Sequence, residues 1–279
     1  MRRLLVTGLA GYLGRAVARA ARDAGWEVSG TTHDTAASDG IPAFSVDVRD
    51  AAAVESVVAA AAPDAVVHTA YRRLGEDAAT VNVDGAAAVA RAAHGHGARL
   101  VHVSSDVVFR GDLGRPLRED DLLDPITDYG AAKAEAEAVV AEIDPGAVLV
   151  RTSLIYGGDE PSDHERLALD AAAGRIDATF YDDELRCPVV AGELAAALVE
   201  LAGLPEVGGP LHVAGADSVS RLEFAQLVAA SAGRDTGRLR GAHAPRDRPK
   251  DLTLDCARAT SLLRDLPRGV REVLRARSR

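Results

Sequence analysis

The stretch Arg2-Arg3-Leu4-Leu5-Val6-Thr7-Gly8-Leu9-Ala10-Gly11-Tyr12-Leu13-Gly14-Arg15 decides the fold. A short apolar run, Leu4 to Val6, meets a loop with glycines at 8, 11 and 14, so a buried strand is expected to turn there into a helix. Gly8 permits the tight turn, Gly11 lets backbone amides approach a pyrophosphate without a Cβ in the way, and Gly14 allows close packing of helix on strand. The helix that begins near Tyr12 and Leu13 then offers its N-terminal amides to an anion. The spacing is G-x-x-G-x-x-G rather than G-x-G-x-x-G, which points to a particular branch of dinucleotide binders. A purely structural turn is the alternative, but strand, loop and amphipathic helix follow in the order that dinucleotide binding needs.

Outward from that loop, Arg15 to Ala24 continues as an amphipathic helix ending at Gly25, and Trp26 to Thr31 reads as a second strand. In such a βαβ unit an acidic residue at the end of the second strand holds the ribose 2′-hydroxyl of NAD, whereas small polar or basic residues leave room for the extra phosphate of NADP. Thr31, Thr32 and His33 stand there, and Asp34 falls beyond the strand, so the reading leans to NADP(H) over NAD(H).

The whole chain sets bounds on the rest. Its 279 residues can bury a large α/β core, as one domain or as a main domain with a smaller lobe. The run after Arg2 and Arg3 is too short for a signal-peptide core, and no run approaches membrane-spanning length, so a cytoplasmic address without membrane contact is expected. Cys187 and Cys256 stand alone, without a C-x-x-C or Cys/His cluster, which indicates two reduced thiols and neither a disulfide framework nor a metal site. A formal charge of −10 argues against a nucleic-acid surface, so any phosphate must be held by a local arginine cluster.

Phe44, Val46 and Val48 alternate as a short strand running into Asp47-Val48-Arg49-Asp50, and Asp50 is placed to cap an alanine-rich helix from Ala51 to Ala62. Ala65 to Tyr71 reads as a fourth parallel strand whose carboxyl end, Thr69-Ala70-Tyr71, opens onto the cofactor. His68 and Tyr71 invite a catalytic reading, but a histidine in a buried strand is more often a satisfied core residue. Asn82 lies at the start of a helix running through Ala86 to Ala93; it either orients the active site or caps locally. Arg99 to Val103 is the fifth strand and feeds Ser104-Ser105-Asp106.

Tyr129 and Lys133, four apart at the start of the helix after Asp124 to Asp128, share one helical face. A phenol is a poor acid at neutral pH, and a neighbouring ammonium would favour the phenolate and draw its pKa toward the working range. Ser105, at the mouth of the preceding strand, would hydrogen-bond the same substrate oxygen as Tyr129 and orient it for hydride attack.

The glycine loop, Ser-Ser-Asp after the fifth strand and Tyr-x-x-x-Lys on the next helix together resemble the extended short-chain dehydrogenase/reductase superfamily across the chain. Within it, Val103-Ser104-Ser105-Asp106-Val107-Val108-Phe109, Tyr129-Gly130-Ala131-Ala132-Lys133 with Glu137, and Arg151-Thr152-Ser153-Leu154-Ile155-Tyr156-Gly157 resemble the dTDP-4-dehydrorhamnose reductase family. Further matches are Asp182 to Val189, Leu211 to Gly215 with Ser220-Arg221, and Arg248 to Asp255. The resemblance implies a Rossmann-type doubly wound parallel α/β sheet in residues 1–154, rejoined by a strand near 211–214. It implies a small substrate-binding lobe in most of residues 155–279. It implies Ser105, Tyr129 and Lys133 as the catalytic set. The cofactor would lie on Gly8, Gly11, Tyr12 and Leu13, on Thr31 and His33, on Asp47 and Val48, on Thr69, Ala70 and Tyr71, and on Asn82, Ser104, Tyr129 and Lys133.

The substrate implied is a nucleotide sugar on Ser105, Asp106, Val107 and Tyr129, with Arg186 and Arg248 at its phosphates because a guanidinium fork matches phosphate geometry. Surface ion pairs are the alternative for both arginines. Val107 replaces the family's tyrosine, and the linker from Gly157 to His164 lacks its usual Asn-Phe pair, so which sugar nucleotide binds stays open. Ser105-Asp106-Val107 also lacks the Asp-Glu pair of the related dehydratases, which disfavours dehydration. The resulting expectation is an NAD(P)H-dependent reductase of a 4-keto group on an activated deoxysugar, as monomer or homodimer. The alternatives are a non-catalytic NADP-binding subunit, because the beta subunit of methionine adenosyltransferase resembles the same family, or a reductase or epimerase of another small substrate. Arg264 to Arg279 reads as a solvated basic helix end.

Overall fold

The computed structural model describes residues 1–33 and 40–277. Asp34 and Arg279 lie outside the described residues. Seven parallel strands form the central sheet in the order β11-β6-β5-β4-β1-β2-β3. They are β1 (Arg3–Thr7), β2 (Glu27–Thr32), β3 (Ala43–Ser45), β4 (Ala65–His68), β5 (Arg99–Ser105), β6 (Val148–Thr152) and β11 (Gly209–His212). Every residue of β4 and β6 is buried, as expected of parallel strands covered on both faces.

One face is covered by α1 (Tyr12–Asp23) and α6 (Ala191–Ala202), whose Val17, Ala21, Leu194, Leu198 and Leu201 pack on Leu4, Val6, Val67 and Val101. The other is covered by α2 (Ala51–Ala61), α3 (Ala78–Gly95) and α4 (Asp128–Ile143), with Val54, Val58, Val89, Ala136 and Val140 on Leu5, Val66, Leu100 and Leu149. The side chain of Asp50 caps α2 by accepting from the amides of Ala52 and Ala53 at 3.1 and 3.0 Å. Strand order reverses between β4 and β1, and the loop after β1 opens at that switch point, where such sheets bind ligands.

Beside this layer sits a second apolar cluster in which Tyr156, Phe180, Phe224, Val228, Val270 and Leu274 meet. Its elements are β7 (Ile155–Tyr156), α5 (Asp163–Ala172), β8 (Thr179–Tyr181), β10 (Val189–Val190), β12 (Val219–Ser220), α7 (Arg221–Ser231) and α9 (Val270–Arg277), with β9 (Leu185–Arg186) paired antiparallel to β12. β11 returns to the main sheet, parallel to β6 with Leu211 opposite Val150.

Three local expectations change. The third strand stops at Ser45: Val46 and Val48 are buried, but Asp47 turns the chain, its carboxylate taken by the amide and guanidinium of Arg49. β4 ends at His68, and Thr69 leaves the ladder to give its hydroxyl proton to the Thr7 carbonyl at 2.7 Å. The basic C-terminal segment is docked rather than solvated. Val270, Val273 and Leu274 are buried, Arg268 pairs with Glu193 at 2.6 Å, and Arg271 pairs with Glu223 at 2.7 Å. Periodic leucines and valines between the arginines carry that helix, and charge counting alone hid them.

Cys187 and Cys256 are both free thiols. Among the described residues no helix is long and apolar enough to cross a membrane.

Candidate active site

Gly8 has φ +71, and a Cβ on it would stand 2.9 Å from the backbone of Ala70. A Cβ on Gly14 would fall 2.1 Å from the Gly8 carbonyl oxygen, so helix α1 can begin this close to β1 with glycine alone. Gly11 caps α1 without a side-chain hydrogen bond, and no acidic residue occupies the first turn. The amides at this end thus face the sheet's switch point with neither a capping side chain nor a first-turn carboxylate, a cradle suited to a diphosphate. Tyr12 turns toward the lobe: its hydroxyl accepts the Gly158 amide at 2.7 Å and lies 3.4 Å from the carboxylate of Glu165, which also accepts the Gly157 and Ser162 amides. Leu13 is buried in the core.

Leu9 bonds back to the Thr31 carbonyl at 2.9 Å; Thr31 and Thr32 are buried and His33 is exposed. Asp47, held down to about 2 by hydrogen bonds from Arg49, is committed to that turn, and Val48 is buried beside it. Asn82 is buried on α3, where its Oδ1 accepts the Arg72 amide at 3.1 Å and its Nδ2 donates to the Arg72 carbonyl at 2.7 Å. It clamps the segment leaving β4. That segment carries Thr69, Ala70 and Tyr71, and brings the exposed Tyr71 ring to 6.1 Å from that of Tyr129.

Ser105 ends β5 and caps a short 3₁₀ turn, Asp106–Val108. Thr127 caps α4 through the Gly130 amide at 3.0 Å. The two ends are pressed together at Gly130, where a Cβ would fall 2.2 Å from the Val107 carbonyl oxygen. This close approach sets the start of α4, with Tyr129, against the turn that follows Ser105. The Ser105 hydroxyl donates to Asp106 at 3.2 Å, and Ser153 donates to the same carboxylate at 2.6 Å. Burial raises the Asp106 carboxyl above its ordinary range, against the lowering pull of Arg186 and the two serines. The Ser104 hydroxyl is buried without a protein partner.

The expected effect of Lys133 on the phenol is not what this arrangement delivers. Lys133 is buried and its ammonium turns to the Val103 carbonyl, 2.7 Å away, with His102 Nε2 at 3.5 Å. Burial raises the Tyr129 phenol, with Tyr71 and Asp106 adding to it and Arg73 opposing. Burial pushes the Lys133 ammonium down to about 8 against the pull of Glu137. A shared helical face aligns the two side chains, but the length of the lysine lets its charge reach down to the sheet.

Arg186 and Arg248 converge on one carboxylate. Glu184, 1 % exposed, takes Arg186 at 3.0 Å and Arg248 at 2.6 Å, while Arg186 also faces Asp106 at 3.7 Å. Burial would raise Glu184, but the Arg248 hydrogen bond and the charges of Arg186 and Arg221 outweigh it and hold the carboxyl low. Arg186 is buried, whereas Arg248 lies half-exposed over the Tyr181 ring. Sequence reasoning missed Arg221 as a member of this group. Its guanidinium meets His164 at 3.2 Å, and burial holds it down to about 10. Its place at the start of an α7 capped by Ser220 was the available signal. Arg186, Arg221 and Arg248 thus gather around the carboxyl groups of Glu184 and Asp106.

Residues 1–277 match the family model described as RmlD substrate binding domain. The chain is 33% identical to dTDP-4-dehydrorhamnose reductase of Mycobacterium tuberculosis, over 89% of this chain and 82% of that protein. It is 30% identical to methionine adenosyltransferase 2 subunit beta of Bos taurus, over 94% of this chain and 82% of that protein. The crystal structure of dTDP-4-dehydrorhamnose reductase from Bacillus anthracis in complex with NADP superposes with a TM-score of 0.85 at 23% identity, covering 99% of this chain and 98% of that one. A parallel sheet opening at β1, a hydroxyl–phenol–lysine set at the exit of β5 and a match along nearly the whole chain agree: the protein belongs to the RmlD substrate binding domain family.

Proposed function

We propose that the protein is an NAD(P)H-dependent reductase of a 4-keto group on a nucleotide-activated deoxysugar, with residues 1–154 carrying the cofactor and most of 155–279 carrying the substrate. The observation that carries this reading is the approach of Gly130 to Val107, which places Ser105 and Tyr129 on adjoining ends of β5 and α4. The similarity to dTDP-4-dehydrorhamnose reductase supports the substrate class.

The glycine cradle at Gly8, Gly11 and Gly14, the uncapped start of α1 and the orphaned Ser104 hydroxyl fit a dinucleotide. Gly8 to Leu13 would hold its diphosphate, and Thr31 and His33 its adenosine end. Asp47 and Val48 would border the adenine, and Thr69, Ala70, Tyr71, Asn82, Ser104 and Lys133 its nicotinamide half. The lean to NADP(H) over NAD(H) rests on Thr31, Thr32 and His33 at the end of β2, where small polar residues leave room for the extra phosphate. When bound, the reduced nicotinamide supplies a hydride. Ser105 and Tyr129 donate hydrogen bonds to the keto oxygen and draw charge onto it, and Tyr129 delivers the proton that completes the alcohol. A raised phenol pKa keeps that proton in place until the oxygen becomes basic. Ser105 has a single hydroxyl proton, so that proton leaves Asp106, which accepts it here at 3.2 Å, for the keto oxygen when substrate binds. Arg186, Arg221 and Arg248 supply the positive wall for the substrate's phosphates.

The likeness to methionine adenosyltransferase 2 subunit beta supports a second reading, a dinucleotide-binding subunit without turnover. The complete Ser105, Tyr129 and Lys133 set favours the reductase. Offering the purified protein NADPH or NADH with a 4-keto-6-deoxy sugar nucleotide separates them. Oxidation of the cofactor supports the reductase, whereas cofactor binding with no oxidation supports the subunit.

A further inference from the structure

β4 and β5 carry histidines at paired register positions, His68 beside His102, after the runs Ala65-Val66-Val67 and Leu100-Val101. Both are buried, and their rings stack with centroids 5.2 Å apart at 28°. Two imidazoles in the middle of a parallel sheet are costly to bury unless their polar atoms are used. His68 Nδ1 shares a hydrogen bond with the Thr7 hydroxyl at 2.6 Å, and that hydroxyl also accepts the Ala70 amide at 3.4 Å, whereas His68 Nε2 and His102 Nδ1 are buried without a hydrogen-bond partner. His102 Nε2 faces the Lys133 ammonium at 3.5 Å, a long contact of the kind unliganded active sites show. Burial, and then the Lys133 charge, holds His68 down to about 3 and His102 well below its ordinary value. Both rings are therefore neutral, and the nitrogen facing an ammonium is an acceptor.

We propose that His102, backed by His68 and Thr7, is a positioning residue for Lys133, its neutral imidazole accepting a hydrogen bond from the ammonium so that Nζ stays at the end of β5 beside the Val103 carbonyl. The groups facing Lys133 are Glu137 from its own helix, His102 from β5 and His68 from β4. Glu137 is already held by Arg151 of β6 at 2.8 Å, so it cannot draw the ammonium away without giving up that pair. The stack on His68, itself anchored to the residue immediately before Gly8, keeps the His102 ring from turning. The role assigned to Lys133 rests on the reductase reading, but its position and protonation can be measured on the chain alone.

The chain has two lysines, Lys133 and Lys250, so lysine labelled with ¹³C at Cε yields two resonances, and Lys250→Arg assigns them. Titrated in the full chain without cofactor, His102→Leu should lower the Lys133 pKa by about one unit, since an acceptor that favours the charged form is lost. His102→Gln, which keeps an acceptor, should restore most of that shift. If His102→Leu fails to fold, His102→Phe keeps the stacked ring and tests the same loss. Where turnover is measurable, the basic limb of kcat/KM should move to lower pH by the same amount in the apolar variants and not in His102→Gln. A Lys133 pKa that stays within about 0.3 unit of the parent in the apolar variant overturns the proposal. So does a glutamine variant no better than leucine. Absence of reductase activity with an intact shift would instead sink the function and leave the positioning role standing.

Discussion

Lys133→Met tests how the buried ammonium is held. The side chain is 3 % exposed, and its pKa of about 8 lies below the 10.5 it has in the unfolded chain. Between those values the unfolded state binds more protons, so folding stability climbs with pH through that window and is lowest below the folded-state value. The full gap corresponds to about 3 kcal/mol, and roughly 2 kcal/mol of it falls between pH 6.5 and 9.5. Methionine is unbranched, of similar length and uncharged, so it fills the same channel beside α4 and removes the proton. Urea unfolding of parent and variant at pH 6.5, 8 and 9.5 should show the parent gaining about 2 kcal/mol relative to Lys133→Met across the series. Taking the difference between the two proteins cancels the other groups that titrate there. If both proteins change in parallel, within about 0.5 kcal/mol, Lys133 is not buried as an ammonium and the geometry at the end of β5 is wrong.

Gly11→Val should abolish cofactor binding while leaving the protein folded, because even its Cβ stands 3.0 Å from the Gly8 carbonyl oxygen and the side chain would occupy the diphosphate cradle; calorimetry with NADPH alongside a thermal melt checks both halves. Arg186→Ala should destabilise the fold by about 3–5 kcal/mol, since it strands the buried Glu184 and Asp106 carboxylates, whereas the half-exposed Arg248→Ala should cost about 1 kcal/mol or less. Arg248→Ala should nevertheless weaken sugar-nucleotide binding by roughly 10- to 100-fold, and titrations that match the parent would remove this pocket from the substrate site.

The glycine loop, the first βαβ unit and the placing of Tyr129 and Lys133 on one helix were legible in the sequence because each is local. Glycine spacing forces the turn after β1, Asp50 announces its helix, and four residues along a helix put two side chains on one face. What escaped the sequence depends on contacts between distant segments. Glu184 gathers Arg186 and Arg248 only because β9 and the segment near residue 248 meet in space, so a reading residue by residue offered ion pairs as an alternative without naming the shared, buried partner. The pairing of His68 with His102 depends on the register of β4 against β5. Arg221 was quoted as part of a motif, but its burial against His164 needs α5 and α7 to pack. The preference between NADP and NAD turns on residues around Asp34, which lie outside the described residues.

The central claim is that hydride passes to a sugar-nucleotide ketone beside Tyr129, and isotope transfer tests it most directly. The protein is given NADPH deuterated at the transferring position of the nicotinamide together with a 4-keto-6-deoxy nucleoside diphosphate sugar, and the product is read by NMR. The account predicts deuterium on C4 of the sugar in the parent. With Tyr129→Phe, turnover should fall by roughly 10²-fold or more while NADPH affinity is kept. Cofactor that binds tightly yet leaves no deuterium on any such sugar, or a Tyr129→Phe variant that turns over within a few-fold of the parent, would contradict it.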